Sequence, residues 1–268
     1  AKKETIKMSQ IVTKMFQWTR ELILQPTENR ELSDRLFKYE NITDEIQHEI
    51  SHFLARLLQS SPGAEVAEDV IQWCSDLGVR YLTLYSFSTE NWKRPEEEVN
   101  FLFKLFVKYL ESRMMKIINK GVRMRFTGRI NELPEDVKKS IEKISQKSKN
   151  NTKLDLVMAL NYGGRQEITD AVNKIIQSGN NQKITEKMIS ENMYLPDVPE
   201  PDLIIRTSGE IRMSNFLLWE SAYSELYFTE KLWPDFNYED LTEAFREFSL
   251  RERRFGDIKE IGSDKGGC

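Results

Sequence analysis

The chain has 268 residues, with 39 basic against 43 acidic side chains for a formal net charge of −4, and 39% of its residues are hydrophobic. That length can bury one large core, and charges of both signs interspersed along it exclude broad nucleic-acid binding by field alone. No apolar run reaches the roughly 18 residues of a membrane span, no secretory signal opens the sequence, and the two cysteines make no disulfide framework, so a soluble cytoplasmic protein is expected.

In chain order, residues 1–62 read as a helical N-terminal segment. Ile11, Met15, Trp18, Leu22 and Ile23 form an amphipathic stripe with Lys14 and Arg20 off it, and residues 44–59 again look helical. The stripe suits ordinary packing, a partner interface or peripheral contact with a membrane surface. His48 and His52 have a spacing that can bind metal, but nothing completes a zinc site and Glu49 does not give the His-Glu-x-x-His order.

Stronger patterning begins at Gly63. Val66, Val70, Ile71, Cys74 and Leu77 recur at helical spacing, and Gly78 sits where a C-cap glycine belongs. Residues 81–87 read as a strand and 88–95 as a loop. Three acids then open a long helix over 96–119, whose apolar residues cover more than one face, so it is buried widely or lines an apolar cavity. Strands are predicted at 122–127 and 154–160, helices at 134–147, 166–177 and 185–194, a proline-rich connection at 196–201, a short strand at 226–229 and a last helix at 238–253. Strands alternating with helices predict an α/β fold with a mainly parallel sheet. Cys74 falls inside an apolar helical pattern, whereas Cys268 ends the chain as a reactive tail or, more simply, an ordinary exposed thiol.

The densest chemistry lies in DLIIRTSGEIRMSNFLLW at 202–219. Residues 203–205 read as a fully buried strand, and side chains just past a strand's carboxyl end are where open α/β sheets place ligands. Arg206, Ser208, Arg212 and Ser214 are thus expected to converge on one anion, the guanidinium groups binding phosphate bidentately and the hydroxyls adding donors. A diphosphate suits that inventory better than a carboxylate. A second constellation, SFSTENWKRP at 86–95, is by itself equally a polar loop whose Trp92 merely packs. Beside the arginine strand, its Ser88, Asn91 and Arg94 would share the carboxyl edge of one sheet. NYGGR at 161–165 precedes a helix, either offering free amides to an anion or making a tight structural turn. The sequence carries no Walker loop, dinucleotide fingerprint, or serine or cysteine triad.

Residues 63–256 resemble the cis-prenyltransferase family, the undecaprenyl and dehydrodolichyl diphosphate synthases. The resemblance is carried, in family order, by YLTLYSFSTENWKRP (81–95), LNYGGR (160–165), the 202–219 segment, AYSELYF (222–228), LWPDF (232–236) and RRFG (253–256). It implies helices around an apolar tunnel, with the 96–119 helix lining the tunnel for a growing chain. It implies condensation of isopentenyl diphosphate with an allylic diphosphate to give a polyprenyl diphosphate, precursor of a glycosyl carrier lipid, with Mg²⁺ as cofactor. By the same resemblance Arg206, Arg212 and Ser214 hold the isopentenyl diphosphate, and Glu225 lies near the magnesium. Ser88, Asn91 and Arg94 are its catalytic candidates, Phe87, Glu90 and Trp92 its substrate loop. Arg254 and Gly256 match a tail motif that completes a site across a dimer.

Family members that work alone open with a strand ending His-x-x-x-x-Met-Asp-Gly-Asn, which this sequence does not carry. Alignment back from Gly63 without gaps puts Thr43 at that aspartate and Arg56 at a basic position. The expectation is therefore a homodimer, or a heteromer with a subunit carrying the full first motif, located in the cytoplasm or peripheral to a membrane. A catalytically silent scaffold or regulatory subunit and a self-sufficient enzyme with unusual acceptor chemistry are the other readings. The expected layout is an N-terminal segment at 1–62, a prenyltransferase-like domain at 63–256 and a flexible tail at 257–268.

Overall fold

The computed structural model of the chain describes residues 62–179 and 181–251, together with Lys14, Lys38 and Tyr39. Expectations for Thr43, His48, His52, Arg56, Arg254, Gly256 and Cys268 lie outside the described residues. By internal contacts the chain divides between Pro62 and Gly63 into two compact units, and the second carries both sheets.

Helix α1, Pro62–Asp76, ends as its glycine dictates. Gly78 adopts φ +81°, its N–H reaches Ser75 O at 3.4 Å and Val79 N–H reaches Cys74 O at 2.9 Å, the paired bonds of a Schellman cap. Strand β1, Tyr81–Ser88, follows. The predicted 96–119 helix forms as α2, Glu96–Ser112, and α3, Met114–Asn119, separated at Arg113. There φ is −106°, and the Arg113 guanidinium reaches across to Glu68 at 3.1 Å and Glu65 at 3.5 Å on α1. Strand β2, Val122–Thr127, helix α4, Glu135–Ser148, and strand β3, Leu154–Tyr162, come next.

These strands form a three-stranded parallel sheet in the order β1-β3-β2. Every residue of β3 is buried, as a central parallel strand requires. Alternation then divides its side chains. Leu154, Leu156, Met158 and Leu160 join one core with Phe103, Leu110, Met114 and Ile117 of α2 and α3 and Ile144 of α4. Ala159 packs on the other face with Tyr162 and Leu217. Asp155 is tolerated in this strand because Arg123 Nε donates to its Oδ1 at 2.7 Å, with Arg125 a further 3.6 Å contact.

The chain continues through α5, Gly164–Gln177, the short α6, Glu186–Ser190, strand β4, Leu203–Arg206, strand β5, Glu225–Phe228, and α7, Tyr238–Leu250. Two expectations are corrected here. The arginine strand is not fully buried, only Ile204 being so. Among the described residues it also does not share a hydrogen-bonded sheet with β1, because β4 and β5 form a separate parallel pair. Among the described residues β4 has one strand neighbour, β5, and Leu203, Ile204 and Ile205 line a cavity of about 660 Å³ together with residues 81–84 of β1.

Candidate active site

Parallel strands deliver their carboxyl ends to one side, and the register places Ser88 of β1 opposite Tyr162 of β3. Pairing becomes irregular between Tyr85 and Ser88, a local departure of the kind that re-aims side chains near sites. Beyond it Ser88 N–H donates to Asn91 Oδ1 at 2.8 Å, closing the 3₁₀ turn Thr89–Lys93. Trp92 Nε1 donates to Asn161 Oδ1 at 2.8 Å while its ring lies 5.5 Å from that of Phe87 and 5.4 Å from that of Phe103. Phe87 is buried in the core, so it supports the loop from beneath. Arg94 turns toward α2 and pairs with Glu98 at 2.7 Å.

At the end of β4, Arg206 Nη1 donates to Ser214 Oγ at 2.7 Å and to Arg212 O at 2.6 Å, which folds residues 207–214 into a compact loop. The Arg212 guanidinium pairs with Glu210. Ser208, at φ +74°, gives its N–H to Lys231 O at 2.7 Å. Among the described residues the non-glycine positions with positive φ are Asn161, Ser208, Ser214, Asn215 and Leu217. Left-handed backbone at such residues costs free energy and gathers at functional sites. Here it gathers in this loop and at the end of β3.

Asn215, which sequence reasoning missed, joins the three motifs. Its Nδ2 donates to Glu90 Oε1 at 2.9 Å and to Gln166 Oε1 at 3.1 Å. Its Oδ1 accepts from Arg165 N–H at 2.9 Å, and its backbone carbonyl accepts from Gly164 N–H at 2.7 Å. The first amides of α5 are thereby satisfied within the protein rather than left for an anion. The glycines of NYGGR serve close approach and not turn flexibility. Gly163 is extended at φ −162°, and a Cβ on Gly164 would stand 2.9 Å from Leu218 Cγ and from Leu218 N. Arg165 follows on the same turn, exposed.

Glu90 is exposed; what desolvation it has opposes ionisation, yet hydrogen bonds from its own backbone N–H and from Asn215 hold its carboxyl below the usual range. Deeper in, Glu167 accepts from Tyr194 N–H at 2.9 Å, and burial raises its pKa. Glu220 is pushed up to about 8 by burial and by the charge of Glu167.

Glu225 is not brought to this edge. It opens β5 opposite Leu203, whereas Arg206 stands opposite Phe228, and it pairs with Arg251 at 2.8 Å. The described residues contain no group of three or more His, Cys, Asp or Glu side chains able to hold a metal ion, and Glu210 beside the arginines is engaged by Arg212. Taken alone they do not build a magnesium site, since Mg²⁺ is held by oxygen ligands in near-ideal octahedral geometry.

An α/β fold whose parallel strands end at arginine and hydroxyl donors defines an enzyme that handles an anionic substrate. A family model described as "Putative undecaprenyl diphosphate synthase" matches residues 51–256. An isoprenyl transferase of Thermotoga maritima is 50% identical over 208 residues, covering 76% of this chain and 89% of that protein. One from Fusobacterium nucleatum is 48% identical over 208 residues, covering 78% and 90%. Among solved structures, a probable undecaprenyl diphosphate synthase from Campylobacter jejuni superposes with a TM-score of 0.68 at 34% identity, covering 74% of this chain and 93% of that one. Lavandulyl diphosphate synthase from Lavandula x intermedia, in complex with dimethylallyl diphosphate, gives 0.70 at 31% identity, covering 73% and 87%. The chain belongs to the undecaprenyl diphosphate synthase family of prenyltransferases. These relatives do not favour the silent-scaffold reading.

Proposed function

We propose that this chain is a subunit of a cis-prenyltransferase that condenses isopentenyl diphosphate with an allylic diphosphate, and that its own share of the site is the isopentenyl diphosphate pocket. The carrying observation is the loop after β4, where Arg206 organises Ser214 within strained backbone that Asn215 ties to the other two motifs. Arg206, Arg212, Ser208 and Ser214 would bind the diphosphate, with Arg165 an additional cation at the rim. Charge-assisted and bidentate contacts fix both position and orientation of such a group. In the reaction the allylic carbon–oxygen bond breaks with its electron pair leaving on diphosphate. The double bond of isopentenyl diphosphate supplies the electrons for the new carbon–carbon bond, and a proton leaves to give a cis double bond.

Ser88 and Asn91 shape the loop beside the reacting ends, and Arg94 becomes available there only by leaving Glu98. The growing chain would follow the half-buried Leu102, Phe106 and Val107 of α2. Magnesium dependence would require carboxylate from outside the described residues, which agrees with a dimer or heteromer in which another subunit supplies the first motif. Arg254 and Gly256 would complete a neighbour's site. Cytoplasmic location with peripheral membrane contact is part of this proposal; no described helix is long and apolar enough to cross a membrane.

Incorporation of radiolabelled isopentenyl diphosphate tests this reading, using the chain alone and mixed with a subunit carrying the full first motif. Incorporation only in the mixture supports the subunit reading. Magnesium-dependent elongation by the chain alone, with mass spectrometry excluding a partner, overturns the heteromer while sparing the transferase. No incorporation and no diphosphate binding in either overturns both.

A further inference from the structure

Two side chains of the Thr89–Lys93 turn reach distant parts of the chain. Glu90 accepts from Asn215 Nδ2 at 2.9 Å, which leads to the loop after β4. Trp92 Nε1 donates to Asn161 Oδ1 at 2.8 Å, which leads down to the end of β3. Asn161 is 1% exposed and adopts φ +47°, a left-handed conformation that asparagine tolerates. Its Nδ2 donates to Arg129 O and to Glu132 Oε2, each at 3.1 Å, and its backbone carbonyl accepts from Arg129 N–H at 3.1 Å. Arg129 is anchored in turn, donating to the two carboxylate oxygens of Asp170 on α5 at 2.8 and 2.9 Å.

These bonds fix which way the Asn161 amide faces. Its nitrogen is spent on Arg129 and Glu132, so its oxygen is the atom turned to Trp92. A buried amide oxygen left without a donor costs free energy, and the turn therefore docks on β3 only with a donor at position 92. The Trp92 ring adds packing against Phe87 and Phe103. Phenylalanine at 92 would keep that packing and lose the hydrogen bond.

We propose that Asn161 is a positioning residue for the diphosphate pocket. By holding the Trp92 indole it sets the Thr89–Lys93 turn, and through Glu90 and Asn215 that turn sets the loop in which Arg206 meets Ser214. The contacts are continuous: Trp92 and Glu90 share one turn, Asn215 follows Ser214 in sequence, and Arg206 Nη1 donates to Ser214 Oγ at 2.7 Å. The inference rests on the transferase reading for the identity of the ligand, and on these hydrogen bonds alone for the coupling of the two loops. Contiguous contacts amount to coupling when a change at one end moves the other.

The test compares Trp92→Phe, Asn161→Gly and the double variant, each in the full chain. Glycine accepts the backbone conformation of position 161, so the two single changes break the same bond and leave different remainders. By calorimetry each single variant is expected to bind isopentenyl diphosphate about tenfold more weakly, and the double variant no more weakly than the poorer single one, because the second change has no bond left to break. Hydrogen exchange at residues 213–216 should accelerate in both. Among the five tryptophans the Trp92 indole N–H signal is identified by its loss in Trp92→Phe, and it should exchange with solvent faster in Asn161→Gly. A purely structural role for Asn161 would leave Trp92→Phe with the parent's affinity, and that result overturns the proposal. Roughly hundredfold loss in the double variant, the sum of independent effects, overturns it as well, as does an unchanged indole signal. Where Asn161→Gly does not fold, Trp92→Phe decides by itself. Where the parent does not bind isopentenyl diphosphate, the proposed function fails, and exchange at residues 213–216 in Trp92→Phe decides the inference separately: faster exchange supports it and parent-like exchange overturns it.

Discussion

Asn215 Nδ2 donates to Glu90 Oε1 at 2.9 Å across 125 positions of sequence. That bond links the loop after β1 to the loop after β4, whose strands belong to different sheets. Asn215 also stands at φ +62°, a conformation that asparagine tolerates better than most residues.

Asn215→Ala should therefore act twice, removing bonds to Glu90, Gln166 and Arg165 and leaving a strained alanine. The expected destabilisation is about 1–3 kcal/mol, read by urea unfolding. Asn215→Gly relieves the backbone but not the side chain, so it should recover part of the stability and little affinity for isopentenyl diphosphate. Equal affinity in the parent and both variants would remove Asn215 from the site.

Arg206→Ala and Arg212→Ala should each weaken isopentenyl diphosphate binding by roughly 1.5–3 kcal/mol, about tenfold to more than a hundredfold. Arg206 is expected to cost more, because it also holds Ser214 and the Arg212 carbonyl. Calorimetry on the active complex measures both, and unchanged affinity in the two variants would sink the diphosphate assignment.

The adjacent glycines of α5 should separate stability from function. A Cβ at Gly164 meets the backbone of Leu218, which cannot give way cheaply, whereas at Gly163 it meets the ends of the Gln166 and Asn215 side chains at 2.4 Å and 2.6 Å. Gly164→Ala is expected to lower stability by about 1–3 kcal/mol. Gly163→Ala should leave the melting temperature closer to the parent's while impairing substrate binding.

Glu220 makes stability depend on pH. Its folded pKa, about 8, exceeds the unfolded value of about 4.3, so the folded state binds the proton more tightly. That contribution is fully present below the unfolded pKa and is lost as pH rises through the folded one. Glu220→Gln keeps a neutral group of the same shape, so the variant should match the parent at about pH 4 and below and melt at a higher temperature near pH 9. A variant less stable than the parent at pH 9 would contradict the burial argument.

Local patterning made much of this legible. Gly78 closes α1, β2 spans its predicted residues, and the arginine motif lies at a strand's carboxyl end. What sequence hid was set by partners distant along the chain. Asn215 looked like a neighbour of Ser214, because its partners Gln166 and Glu90 are 49 and 125 positions away. Glu225 sat beside the right motif but opens β5, at the opposite end of the pair from Arg206, which closes β4. Arg94 was a catalytic candidate, yet its guanidinium pairs with Glu98 in the first turn of α2. The split between β1 and β4 was invisible because an apolar tripeptide reads the same with one strand neighbour or two.

That split also has a kinetic meaning. The β4–β5 pair depends on tertiary packing around Phe236 and Leu241 more than on its own ladder, so it is expected to open locally well before β3, whose amides report global unfolding. Hydrogen exchange should show residues 203–206 and 225–228 exchanging early and residues 154–162 late. Because Arg206 rides on the early-opening pair, a bound diphosphate should slow exchange there most, and part of its binding energy is spent holding that edge of the protein shut.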